Sequence, residues 1–299
     1  MDFVCEDISQ HGVVLVPVSA PEYDKLLTDI QRREANTTKE SPPFPAKLRP
    51  RIIPEDRPTS AILLNRSTKA IAGLQAVWRF ETESGRTVRH SRCMLSPRPL
   101  VLPFGFRQLQ SQKKYEYWNT IFPGSTRYIG DSGIVGDNRD VRPPTADEKR
   151  RGGVIGGVGD SGFSGLEVIR QVTLALDGIF FLDGEFVGPD TEKMFESTVA
   201  EAEAHRIVAR IASDGHYKGL SAADILIEIG KTTGTAPERP PLPTQLQNWA
   251  AKTGDLLKAA LQGIAYQLDL QRASSTSNEQ VVLNILSWDE LDRPQIRRS

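Results

Sequence analysis

The chain has 299 residues, 38% hydrophobic and 25% charged, which is the composition of a soluble globular protein with room for two modest domains. Its 37 Lys and Arg stand against 38 Asp and Glu, so the formal net charge is −1 and no global field favours nucleic acid or an anionic membrane surface. Two cysteines, Cys5 and Cys93, exclude a disulfide framework. The acidic opening Met1-Asp2-Phe3-Val4-Cys5-Glu6 and the short run Val13–Val18, broken by Pro17, do not fit a secretory leader or a membrane span, so a cytoplasmic location is the default expectation.

Val13–Val16 reads as a short strand ended by Pro17. Glu22–Arg33 reads as a helix with Tyr23, Leu26, Leu27 and Ile30 on one side and Arg32-Arg33 placed to suit its dipole. Residues 1–35 thus form an N-terminal strand and helix segment. Residues 36–57 carry Pro42, Pro43, Pro45, Pro50 and Pro54 and read as an extended linker.

The next stretch is the most patterned. Ala70, Ala72, Leu74, Ala76, Trp78 and Phe80 share one parity, which predicts a strand with one dry face and one wet face carrying Gln75, Arg79 and Glu81. Asn65-Arg66-Ser67-Thr68-Lys69 has turn composition, so Ser60–Asn65 is expected to pair with Ala70–Phe80. Glu83-Ser84-Gly85-Arg86 supplies a second turn. The strand beyond it, Arg86–Leu95, carries Arg86, Arg89, His90 and Arg92 and reads as an edge strand. Pro97, Pro99 and Pro103 stop it. An aromatic-rich insertion follows at 97–122, with Phe104, Phe106, Tyr115, Tyr117, Trp118 and Phe122, suited to covering the end of a sheet.

Pro123-Gly124-Ser125 reads as a turn before a short strand at Thr126–Ile129. Residues 130–165 form a long Gly- and Asp-rich insertion without apolar periodicity. Val172, Leu174, Leu176, Phe180 and Leu182 mark the second clear strand, with Thr173, Asp177 and Asp183 on the other parity. It ends in the hairpin signal Asp183-Gly184 and returns as Glu185-Phe186-Val187. This hairpin is expected to be the layer that covers Trp78 and Phe80.

The period then changes. Asp190 is placed to cap a helix running through Ile211, and Ser221 with Asp224 makes a capping box before Ile225, Leu226 and Ile229. A proline-rich linker lies near 236–244. Thr244–Leu270 is the longest predicted helix, with a stripe including Leu246, Trp249, Leu257, Ala260, Ile264 and Leu268. Val281–Leu291 is apolar, with helix and strand both open.

The chemical motifs are weak. Gly157-Val158-Gly159-Asp160-Ser161-Gly162 has dinucleotide-loop spacing but lacks the strand before it and the helix after it. Gly159-Asp160-Ser161-Gly162 resembles the nucleophile motif of trypsin-like proteases, yet Phe163 stands where that family has glycine, and Gly130-Asp131-Ser132-Gly133 repeats the tetrapeptide, which favours turn chemistry. Asp131, Asp137 and Asp140 fit no calcium loop, and His11, His90, His205 and His216 are too scattered for zinc. Lys149-Arg150-Arg151 and Arg297-Arg298 read as solvated surface. No catalytic, cofactor-binding or metal-ligating residue is assigned.

Asn65-x-Ser67-x-Lys69-Ala70-Ile71, Trp78-x-Phe80, Pro123-Gly124-Ser125 and Asp183-Gly184-Glu185-x-Val187-Gly188-Pro189-Asp190 together resemble an immunoglobulin-like β-sandwich module of uncharacterised bacterial proteins, over residues 58–190. The resemblance implies a fold and no activity. The expected architecture is α+β with a mainly β core: an antiparallel immunoglobulin-like sandwich with insertions at 97–122 and 130–165, followed by a helical region at 191–299. The expected function is a non-catalytic binding or scaffold protein, meeting another protein through the strand at 86–95 or the helix at 245–270. The alternative is a hydrolase using Ser161 or the aspartates of the 130–165 loop.

Overall fold

The computed structural model describes residues 2–40, 59–101, 120–130, 169–234, 255–273, 276–288 and 294–299. Its architecture is mixed α+β with two sheets. The strands are β1 (Asp2–Glu6), β2 (Val13–Pro17), β3 (Ala61–Asn65), β4 (Ile71–Thr82), β5 (Thr87–Leu95), β6 (Thr126–Ile129), β7 (Ile169–Phe181), β8 (Glu185–Val187) and β9 (Arg297–Arg298). The larger sheet has the order β5-β4-β7-β8-β9, with β1 also paired to β7, and the smaller sheet has the order β2-β3-β6. The helices are α1 (Tyr23–Glu40), the single turn α2 (Arg98–Val101), α3 (Met194–Tyr217), α4 (Ala222–Thr233), α5 (Leu256–Ala273) and α6 (Asn278–Leu286).

Two expectations about pairing are corrected. β3 does not pair with β4. It lies between β2 and β6, antiparallel to both, with Leu15 opposite Leu63 and Ala61 opposite Ile129. The turn after it carries the chain from the smaller sheet into the larger one, and turn composition alone reads the same for a hairpin as for such a crossing. β7, in turn, does not face Trp78 and Phe80 from another layer; it is the lateral neighbour of β4 in the same sheet. Trp78 instead reaches the start of β3, its indole Nε1 donating to the Thr59 carbonyl at 2.9 Å. The wet face expected for β4 is also absent along most of its length. Ile71 to Trp78 are buried on both parities, Gln75 included, and only from Arg79 does the strand open to solvent.

The chain forms two compact units. The first comprises Met1–Ala70, Ala76–Arg92 and Ile121–Leu176, and the second Ile71–Gln75, Cys93–Thr120 and Asp177–Ser299. In the first unit, α1 packs on the smaller sheet: Tyr23 and Ile30 meet Val16, Ile62 and Tyr128, and the Tyr23 hydroxyl lies 2.5 Å from Ser60 Oγ. The N-terminal stretch supplies β1, parallel to β7 with Phe3 opposite Val172, and β2 in the smaller sheet. Asn65 ties the crossing turn. Its Nδ2 donates to the carbonyls of Lys69 and Ile121, both at 2.8 Å, and its Oδ1 accepts from the Ser67 amide and hydroxyl. Its backbone amide and carbonyl pair with Ser125 and Gly124, so a residue 1% exposed has every polar group satisfied.

In the second unit, α3, α4, α5 and α6 enclose a cluster that includes Ala204, Val208, Ile225, Ile229, Ile264, Val281 and Trp288. The capping box before α4 forms as the sequence predicts, with Ser221 Oγ accepting from the Asp224 amide at 3.2 Å. Ser277 caps α6 in the same way, which settles the helix reading for the start of the 281–291 stretch. α3 continues past Ile211 to Tyr217. α5 carries the expected stripe from Leu257 to Leu268, while Leu246 and Trp249 lie outside the described residues.

Candidate functional site

A dense arrangement of buried polar groups lies in the second unit, where the β7–β8 hairpin passes into α3. Its framework is aromatic. Phe180 on β7 stands opposite Phe186 on β8, with ring centroids 4.8 Å apart, and Phe195 in the first turn of α3 completes the group at 5.4 Å from Phe186. Gly178 makes room for it: a Cβ there would lie 2.6 Å from the Phe186 ring. Edge contacts of this kind add stabilisation beyond the apolar area they bury.

Asp177 sits one residue before that glycine and is 3% exposed. Its Oδ1 accepts from the Thr191 amide at 3.0 Å and from the Thr191 hydroxyl, and its Oδ2 accepts from the Glu192 amide at 2.9 Å. Its own carbonyl accepts from the Asp190 amide at 2.8 Å. A carboxylate gathering successive backbone N–H groups makes charge-assisted bonds, stronger than neutral ones. Here they pin the turn that feeds α3.

Asp190 is the second buried carboxylate, its side chain 1% exposed. Its backbone is in the left-handed region (φ 60°), a conformation Asp tolerates better than most residues. Oδ1 accepts from the Phe195 amide at 2.9 Å, which gives it the helix-starting role expected from the sequence, while the dihedral cap is Lys193. Oδ2 accepts from the Arg298 guanidinium. Burial pushes the Asp190 carboxyl above its usual range, the Phe195 amide and Arg298 pull it back, and Asp177 and Glu196 reinforce the rise. Arg298 is held from the other side by rings, its guanidinium carbon 4.7 Å from the Phe195 centroid and 5.7 Å from that of Phe186.

This geometry anchors backbone and holds a guanidinium. A general acid or base must direct an oxygen at a substrate, whereas Asp177 commits both oxygens to the Thr191–Glu192 turn. Among the described residues no group of three or more His, Cys, Asp or Glu is placed to hold a metal ion. Asp131, Asp137, Asp140, Ser161 and the 157–162 glycine motif lie outside the described residues. His90 lies on β5 beside Trp78, at 6.2 Å between ring centroids, and His205 lies in α3 against Trp288, at 4.9 Å. Cys5 and Cys93 form no disulfide, and burial, followed by Asp7, pushes the Cys5 thiol up to about 12, so it stays protonated and poorly nucleophilic at neutral pH.

Local pattern does not reveal this cluster: Asp177 falls on the polar parity expected of a half-buried strand, and Arg297-Arg298 has the composition of solvated surface. One signal was present: a carboxylate within the apolar run Leu174–Phe181, next to a glycine, has no cheap place in a buried strand unless donors come to it. No helix of the described residues is long and apolar enough to cross a membrane. No family model, curated protein or solved structure matches the chain.

Proposed function

We propose that the chain is a non-catalytic binding or scaffold protein, built on an immunoglobulin-like sandwich, that takes its partner along β5. The observation that carries this reading is the position of β5, which among the described residues stands at the end of the larger sheet: a nine-residue strand with Thr87 and Arg89 exposed. An end strand of that length offers a template for pairing by an extended segment, and Arg86, Arg89 and Arg92 favour a partner segment of acidic character. The presence of two sheets, with the chain crossing from one to the other at Asn65–Lys69, supports the sandwich reading. The apolar stripe of α5 offers less to a partner, because Ala260, Ile264 and Leu268 are buried within the helical cluster of its own unit.

The test combines partner capture with charge reversal. Protein captured from the source lysate by the unaltered chain, and cross-linked to β5, is expected to be lost with Arg86→Glu/Arg89→Glu. Turnover of ester or peptide substrates that disappears with Ser161→Ala would overturn the reading in favour of the hydrolase.

A further inference from the structure

The edge of β8, at the other end of the larger sheet from β5, holds an extended arginine-bearing segment of the chain itself. Residues 294–299 occupy it. β9 runs parallel to β8 with Glu185 opposite Arg297 and Phe186 opposite Arg298. The Arg297 amide donates to the Gly184 carbonyl and the Ser299 amide to the Phe186 carbonyl, each at 3.0 Å. Side chains alternate as a strand requires. Ile296 packs against the apolar cluster that holds Phe180 and Phe186, and Arg298 lies over the Phe186 and Phe195 rings with its guanidinium on the buried Asp190 carboxylate. Arg297 turns the other way, donating to the Asp183 carbonyl at 3.0 Å and to its carboxylate at 3.1 Å, with Glu185 at 3.9 Å. Gly184 (φ 85°) leaves space for this segment, since a Cβ there would lie 2.5 Å from the Gln295 carbonyl oxygen.

The β8 side supplies a backbone ladder, an apolar seat, an aromatic and acidic cage for one guanidinium and an acidic rim for a second. Peptide-recognition edges use the same division, with main-chain bonds for affinity and alternate pockets for specificity. We propose that this edge is a recognition site for extended segments of the pattern Ile-Arg-Arg, filled in this chain by its own residues 296–298 and open to the same sequence presented by another chain. A tethered occupant acts at an effective concentration on the order of millimolar, so a free peptide binds well only where the tethered copy is weakened.

The experiment uses the full chain carrying Ile296→Ala/Arg298→Ala and a fluorescein-labelled peptide Pro-Gln-Ile-Arg-Arg-Ser. Saturable binding is expected, at least tenfold weaker to the unaltered chain and at least tenfold weaker when the second arginine of the peptide is alanine. Absence of saturable binding to a variant that keeps its circular dichroism, or equal binding of the two peptides, overturns the proposal. A second measurement needs no variant. Excess peptide added to the unaltered chain is expected to speed amide exchange at Arg297 and Ser299 at least twofold, and unchanged exchange at both also overturns it.

Discussion

At the scale of single residues, the fold concentrates its polar demands on a few side chains. Asn65, Asp177 and Asp190 are nearly inaccessible, and each commits at least one side-chain polar atom to a backbone group. Loss of one such partner leaves a buried group unsatisfied, at about 1–3 kcal/mol. Asp190 adds a pH dependence with a definite sign. Its folded-state carboxyl is raised, chiefly by burial, so between the ordinary aspartate value and the raised one the native state binds more protons than the unfolded chain. Stability from this group is complete below the ordinary value and is lost as pH rises through the folded one. Urea unfolding of the unaltered chain and of Asp190→Asn is therefore expected to show a wild-type advantage that shrinks as pH rises above about 4. An advantage that grows over that range would mean that Arg298 outweighs burial.

At the scale of elements, periodicity and capping were legible and strand partnership was not. The Ser221–Asp224 box and the Asp183-Gly184 hairpin follow from local chemistry that operates within a few residues, and both form as read. The neighbour of β3 depends on contacts far along the chain. Asn65-Arg66-Ser67-Thr68-Lys69 closes a crossing between sheets because Ile121 and Gly124 come to Asn65, and nothing in the five residues announces that. The burial of Gln75 on the expected wet face of β4 is a tertiary effect of the same kind. For the β7–β8 hairpin, the aromatic cluster makes a size prediction. Gly178→Ala places a methyl 2.6 Å from the Phe186 ring, which is itself packed between Phe180 and Phe195. A destabilisation of about 1–3 kcal/mol is expected in chemical denaturation. A neutral result would show that the cluster yields easily.

At the scale of the whole molecule, the change from period-two runs to helical spacing pointed to a mixed α+β chain, and the two sheets with helices answer to that expectation. The candidate site was hidden because it joins Arg298 to Asp177, Asp190 and Phe195, which stand far earlier in the sequence, and because each has an ordinary local reading as strand, cap, core or surface residue. Brought together, they make a tether for α3 and a cage for a guanidinium. The most direct test of that central claim is amide hydrogen exchange at Thr191 and Glu192 in the unaltered chain and in Asp177→Asn. If the carboxylate is spent on holding the turn, at least one of these amides exchanges tenfold or more faster in the variant, relative to the Phe186 amide. Unchanged protection at both would contradict it and return Asp177 to the residues available for chemistry.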